Sequence, residues 1–453
     1  MNRKFLCVRN RLTVLMAAVC LVSSAAHAAM TPEDAARLRK DLTPIGAERA
    51  ANRDVSIPAW DGGLTKAPAN FDPKSGYADP FSGEKPLYTI TAANAVQYKD
   101  VLSPGHLEML KRYPSFKMNV YPTHRTAAFP EKVFETAKTE GLKAMLSGGG
   151  NGVVNITHSQ IPFPVPHNGE EVLWNHLFAR TADTIVDYTA EFSVQTNGSF
   201  TPVTRVVDTA AAGGFDQPEK NRLGYQKTVL TGPSNMEGDA TLVIDPMDQV
   251  SEKRLAWTYN AGQRRVIRAP EFGYDQPGTG SDGLRTVDDF SMFNGALDRY
   301  DWKLIGKREM IIPYNNYRLS DKKLKYKDII RPQHLNDDLI RYELHRVWVV
   351  EGTLKPGARH VYAKREFYVD EDSWLIAHGD QYDGRGQLWR VKDLMLMQAY
   401  DVPGMWNAGE VQYDLQAQRY NVQGLRNEER PAKFKVPLKV SDFKPDALRR
   451  MGD

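Results

Sequence analysis

Between Ile340 and Ala417 the sequence alternates with a period of two, and this constrains the fold more than any other feature. Ile340, Tyr342, Leu344, Trp348 and Val350 interleave with Arg341, Glu343, His345 and Glu351. Val361, Ala363, Phe367 and Val369 interleave with Lys364, Glu366 and Asp370. Side chains on a strand point alternately to its two faces, so such runs read as strands. Turn residues at Asp370–Ser373 and Asp383–Gly386 separate them from returning segments at Trp374–Tyr382 and Gln387–Tyr400, and Val411, Tyr413, Leu415 and Ala417 add another strand. Long strands joined by short turns form an antiparallel meander, with one apolar face and one wet face expected. A sheet of about ten such strands curls or closes.

The strand texture begins near Thr184. Before it the chain is irregular and partly helical. Thr31 can cap a helix with Pro32 in its first turn, running toward Leu42, and Thr91 can start another through Tyr98. Pro130–Leu146 reads as the best helix, with Phe134, Ala137, Leu142 and Met145 near one face and Gly148–Gly150 as its stop. Glu170–Phe178 reads as a short one. These amphipathic helices need an apolar surface, and the sheet has one to cover. The expected fold class is α+β: a large curved antiparallel sheet or incomplete β-barrel covered by helices, enclosing an apolar cavity where the helices do not fill it. The expected division is residues 29–155 as an irregular, helical segment packing on the sheet and 156–453 as the half-barrel.

Residues 1–28 read as a leader for export. Arg3, Lys4, Arg9 and Arg11 precede the uncharged apolar run Leu12–Val22, and Ala26-His27-Ala28 offers a small-x-small cleavage pattern near Ala28. The full chain has 59 basic and 56 acidic residues. Four of the basic ones lie in the leader, so the mature chain is close to neutral and carries no electrostatic footprint for nucleic acid. Both cysteines, Cys7 and Cys20, also lie in the leader. The mature chain therefore has no disulfide and no thiolate chemistry, which fits a bacterial periplasm.

Catalytic signatures are absent: there is no G-x-S-x-G, no H-E-x-x-H and no Walker loop. Gly278–Gly283 spells G-x-G-x-x-G without the strand and helix that a dinucleotide fold needs, and reads as a loop. His124, His158, His167 and His176 match no zinc spacing. The carboxylate pairs Asp288-Asp289 and Glu371-Asp372 are adjacent and so point apart. No enzymatic activity, metal or cofactor is expected. The proline run Ile161–Pro166 reads as an extended connection laid over the surface. The unusual feature is aromatic. Trp257, Trp302, Trp348, Trp374 and Trp389 all fall in the strand-rich half, beside Tyr259, and could line a pocket for a lipid-like ligand. Arg264 and Arg268 would share one strand face and could hold an acidic head group at its mouth.

Four strings carry a resemblance to a known family: LTPIGAERAANRDVSIPAWDGG (42–63), YPSFKMNVYPTHRTAAFP (113–130), AWTYNAGQRRVIRAP (256–270) and RTVDDFSMFNGALDRYDWKLIGKREMIIPYNNYRL (285–319). Over essentially the whole mature chain the sequence resembles the periplasmic Gram-negative family called domain of unknown function 1329, also labelled outer-membrane lipoprotein-sorting protein. The resemblance implies a fold like the LolA/LolB carriers, an incomplete barrel closed by helices around an apolar cavity. It also implies an envelope setting, with a resistance-nodulation-division-type exporter and an outer-membrane protein as partners. It brings no catalytic residues. The sequence departs from the family at Val55, where glycine is usual, and at Asn260-Ala261, where proline is frequent. The expected function is that of a periplasmic carrier of a hydrophobic small molecule or acyl chain. The alternative is an adaptor in an envelope complex with no ligand of its own.

Overall fold

The computed structural model describes residues 30–157, 159–269 and 274–449. The expected leader and His158 lie outside the described residues. The helices are α1 (Pro32–Arg37), α2 (Pro104–Arg112), α3 (Glu131–Gly141), α4 (Gly169–Phe178), α5 (Tyr326–Ile329) and α6 (Pro445–Arg449). The strands are β1 (Tyr88–Ile90), β2 (Met118–Val120), β3 (Met145–Ser147), β4 (Gly152–Val154), β5 (Thr184–Val194), β6 (Pro202–Ala211), β7 (Gly224–Leu230), β8 (Ala240–Asp245) and β9 (Leu255–Asn260). They continue with β10 (Arg265–Arg268), β11 (Tyr300–Pro313), β12 (Tyr342–Leu354), β13 (Lys364–Asp370), β14 (Ile376–Tyr382), β15 (Leu388–Ala399), β16 (Gly404–Asp414), β17 (Arg419–Leu425) and β18 (Lys433–Phe434).

Sixteen strands join one large open sheet in the order β1-β2-β12-β13-β14-β15-β16-β17-β5-β6-β7-β8-β9-β10, with β11 also on β12 and β18 also on β5. The ladders are antiparallel except the parallel pairing of Tyr342 with Val120. The meander from β12 to β17 is the one the alternation predicts. The crossover that seats β5 beside β17 has no local sequence signal. Nor was β11 read as a strand, although it makes the longest ladder, thirteen residue pairs with β12. The N-terminal segment supplies β1 and β2, so it extends the sheet as well as covering it.

Both faces of the central strands are buried, which corrects the expectation of one wet face. On β15, Leu394 and Leu396 enter a core with Trp302, Phe367 and Trp374. The alternate residues Val391, Met395 and Met397 enter a second core with Met109, Leu110 and Tyr413. The first is closed by α4 and residues 290–297, the second by α2 and the segments around β2 and α5. The polar residues between these apolar ones were read as solvent-facing. Buried ion pairs neutralise them: Arg390 with Asp414, Lys392 with Asp289, Asp393 with His378 and Arg365 with Asp288. The partner is often remote in sequence, and a period-two pattern cannot reveal it.

Several local readings also change. The helix after Pro130 ends at Gly141, because Met145–Ser147 instead pairs with Gly152–Val154. Gly148, Gly149 and Gly150 all take positive φ (51°, 69° and 96°), which suits the tight turn of that hairpin rather than a helix stop. The first helix stops at Arg37 and the Thr91 segment reduces to a 3₁₀ turn at Ala95–Tyr98. The proline run lies inside, with Ile161 and Phe163 buried. The Asn175 side chain accepts from Phe163 N (2.9 Å) and donates to Phe163 O (2.7 Å), standing in for a strand partner.

Val55 stands at a position with φ +62°, and its side chain is exposed. A β-branched residue is strained in the left-handed region, and no packing there compensates. Val55→Gly is expected to raise stability by about 0.5–1 kcal/mol, after glycine's larger unfolded-state entropy is allowed for. An upward shift in the urea midpoint checks it; a downward shift would mean the turn tolerates valine without strain.

Candidate functional site

A cavity of about 300 Å³ lies on the α4 side of the sheet. Its floor is the face of β5, β6 and β7 that carries Ile185, Val207 and Thr209, and its far wall comes from β16 and β17. The roof is the end of α4 (Leu177 and Phe178), residues 179–182, and the segment 290–294. Helix α4 forms because Asn168 caps it, accepting from Glu171 N at 2.9 Å, with Glu170 and Glu171 in the first turn. It is apolar nearly all round, which makes it a core helix rather than a surface one. His176 on α4 ties the roof together. Its Nδ1 accepts from Ile376 N (3.2 Å) and its Nε2 donates to Ser291 O (3.0 Å) and Phe293 O (3.2 Å). That geometry needs a neutral ring, and burial pushes its pKa down to about 4.

A row of alternating charges crosses the sheet beneath the cavity. Arg205 on β6 pairs with Glu191 on β5. Arg285 grips the same carboxylate from the loop above, at 2.8 Å through Nε and 3.0 Å through Nη2, and Asn421 donates to it at 3.0 Å. Burial alone would raise the Glu191 pKa, but Arg285 and Arg205 bring it down to about 2. Further along, Lys392 lies 3.2 Å from Glu410 and 3.3 Å from Asp289. A second cavity of about 90 Å³ adjoins the first, and Trp406, Asn407 and Arg426 line both. Arg426 holds the partition in place: it binds both oxygens of Asp187 at 2.8 Å and lies 4.4 Å over the Trp406 ring.

The residues expected to line a pocket are dispersed, and none of the eight borders the larger cavity. Trp302 and Trp374 are buried in the core, with indole N–H donors on Leu297 O (3.1 Å) and Ile45 O (3.0 Å). Trp348 stacks on Trp374. Trp389 donates to Asp414 at 3.0 Å under the Arg390 guanidinium. Trp257 and Tyr259 pack with Phe443 near the C-terminus. Arg264 sits in the turn before β10 with φ +50°, so it does not share a strand face with Arg268, and both are exposed near the sheet edge. Trp406, which lines both cavities, was not singled out; its strand offers no stronger signal than the others.

Two buried histidine clusters were also missed, because their members lie far apart in sequence. Ser103 Oγ lies 2.6 Å from His378 Nε2, and His378 Nδ1 lies 2.7 Å from Asp393. The order serine, histidine, carboxylate is that of a hydrolase triad. Here Asp380 also contacts Nε2 at 3.0 Å, and the two carboxylates push the ring's pKa up to about 10 against the effect of burial. A ring protonated on both nitrogens cannot act as a base. Ser103 is fully buried and caps α2, accepting from His106 N at 3.0 Å. His106 joins the cluster at 3.1 Å from Asp393. His106, His378 and Asp393 have the composition of a metal site, with ligand atoms within 4.8 Å of one another. Their closest contacts, however, are hydrogen-bond lengths, and the protonated His378 already supplies the positive charge. The second cluster is His345, Asp370 and Asp372. Arg125 binds both oxygens of Asp372 (2.7 and 2.8 Å), while burial and Asp372 push Asp370 up to about 7.

Residues 89–449 match the family described as protein of unknown function, DUF1329. Uncharacterized protein PA3922 of Pseudomonas aeruginosa is 49% identical over 445 residues, covering 96% of this chain and 97% of that one. Among solved structures, a putative outer membrane lipoprotein-sorting protein domain from Vibrio parahaemolyticus is 15% identical, with a TM-score of 0.42 over 60% of this chain and 93% of that one. A DUF1329 family protein from Desulfovibrio piger is also 15% identical, with a TM-score of 0.42 over 59% and 92%. LolA superfamily protein NE2245 from Nitrosomonas europaea is 13% identical, with a TM-score of 0.39 over 62% and 99%.

Proposed function

This chain belongs to the DUF1329 family, and on that footing we propose that it binds and carries a hydrophobic, lipid-like molecule in the cavity between the β5–β7 face and α4. The carrying observation is the cavity itself. Its volume falls at the lower end of the range for small-molecule sites, and apolar side chains such as Ile185, Val207, Leu177 and Phe178 line it beside polar and charged ones. Each methylene withdrawn from water contributes about 0.8 kcal/mol, so an acyl chain is held without any reacting group. In this reading the chain is a non-enzymatic carrier. It is exported with residues 1–28 removed, residues 29–155 and 156–453 act as one unit, and it works in the periplasm beside a resistance-nodulation-division-type exporter and an outer-membrane protein. Among the described residues no helix is long and apolar enough to cross a membrane.

Native mass spectrometry of protein purified from periplasm without detergent tests this. A stoichiometric adduct released by organic solvent is expected. Protein that stays bare even after incubation with total membrane lipid overturns the reading and leaves the adaptor role. A variant makes the location testable. Val207 is on the cavity floor, so Val207→Trp fills the space and is expected to weaken binding of an apolar fluorescent probe at least tenfold, roughly. Unchanged probe affinity would place the binding elsewhere.

A further inference from the structure

The cavity is not apolar throughout, and its polar groups are unequally satisfied. Each lining carboxylate has a cationic neighbour, although Glu410 shares Lys392 with Asp289 and its Oε1 has no hydrogen-bond partner among the described residues. Asp187 has Arg426, Asp245 has Arg254, and Glu410 has Lys392 at 3.2 Å. Glu191 instead has two, Arg205 and Arg285. Arg285 takes both carboxylate oxygens, whereas Arg205 reaches only one of them. Arg205 is therefore the end of the charge row. Its Nε is buried and has no hydrogen-bond partner among the described residues. Arg426, the other arginine on the floor, is occupied by Asp187 and by the carbonyls of Asn407 and Gly424.

The position of Arg205 is also specific. Along β6, Arg205, Val207 and Thr209 face the cavity in turn, followed by Ala211. That places the cationic group roughly 20 Å along the strand from Ala211, with Val207 and Thr209 between them and Asp187, Thr189, Gln226 and Asp245 alongside. The Gly278–Gly283 loop closes over the guanidinium. A Cβ on Gly280, which has φ +82°, would come within 3.3 Å of Arg205 Nη2, so glycine lets the loop approach. A guanidinium with an unpartnered N–H at one end of a partly apolar cavity matches a carboxylate at the end of an alkyl chain.

Resting on the cavity reading above, we infer that the ligand is amphipathic with an anionic head, a long-chain carboxylate, whose head binds Arg205 and whose chain lies along β6 toward Ala211. The probes are dodecanoate and dodecanol, which share a chain and differ in the head, titrated into the full mature protein by calorimetry. Dodecanoate is expected to bind roughly tenfold or more tightly than dodecanol, because a charge-assisted hydrogen bond is lost with the alcohol. Arg205→Gln is expected to abolish that ratio; Glu191 keeps Arg285 and Asn421, so the floor retains its counter-charge. Equal affinities in the parent protein overturn the head-group inference while the cavity reading stands. A preference for dodecanoate that survives Arg205→Gln overturns the role of Arg205. Failure to bind either probe overturns the inference together with the cavity reading. Should Arg205→Gln not fold, the ratio in the parent protein decides alone.

Discussion

Asp289→Ala is expected to cost about 3–5 kcal/mol of stability, because it removes one partner of a buried ion pair and leaves the other charge uncompensated. Asp289 is fully buried and accepts from many donors at once. Gln381 reaches Oδ1 at 2.6 Å. The Tyr362 hydroxyl (2.7 Å), Thr286 N (2.9 Å), Thr286 Oγ1 (2.7 Å) and Gln412 (3.2 Å) reach Oδ2. Lys392, also fully buried, lies 3.3 Å away and donates to the backbone carbonyls of Asp289 and Met292 at 2.7 Å each. Burial would raise the Asp289 pKa, yet Lys392 and Arg365 hold it well below the usual range. The residue therefore anchors the 285–294 loop onto β13–β16, and that loop forms part of the cavity roof. Urea unfolding measures the loss. A change below about 1 kcal/mol would mean the surrounding donors find other partners, and the loop would not depend on this carboxylate.

The largest pH effect is expected on the alkaline side and comes from His378. Desolvation lowers its pKa, but Asp380 and Asp393 outweigh that and carry it to about 10, from 6.5 for an unperturbed histidine. Because the folded-state value is the higher one, the stabilisation is fully present below about pH 6.5 and is lost as pH rises through about 10. Asp393→Asn should remove much of this slope and cost about 3–5 kcal/mol near neutrality. It also strips His106 of its partner and so loosens α2 from the sheet. Tyrosines and lysines titrate in the same alkaline range, so the measurement is the difference between parent and variant. Identical slopes from pH 7 to pH 10 would exclude a charged His378. On the acid side the signs reverse. His176, folded with a value near 4, binds its proton more readily when unfolded, so its contribution is lost as pH falls from about 6.5 toward 4.

Much of the sheet was legible because strand formation leaves a local trace. The β12–β15 meander follows the alternation and the Asp- and Gly-rich turns to within about three residues. Helix α4 follows from its Asn168 cap and the acidic first turn. The candidate site was much less legible. Tryptophan is an amphipathic side chain equally at home in a core and around a ligand, so its count in the strand-rich half could not separate the two. Trp302 and Trp374 became core. The cavity lies instead against β5–β7, where short side chains such as Ala210 and Ala211 leave space. An absence of bulk is a weak sequence signal.

Periodicity, turn chemistry and composition determined that this chain makes long antiparallel strands, packs helices on them and does so without a cysteine in residues 29–453. They act between neighbours in the chain, within the reach of one turn or one strand. Which charges survive burial was decided only by tertiary structure, since neutralisation depends on pairs such as Lys392 with Asp289, 103 residues apart, and Arg125 with Asp372, 247 apart. The same long-range closure converted the expected wet face into a second core. It also left Arg205, which lines the cavity, with an unsatisfied N–H.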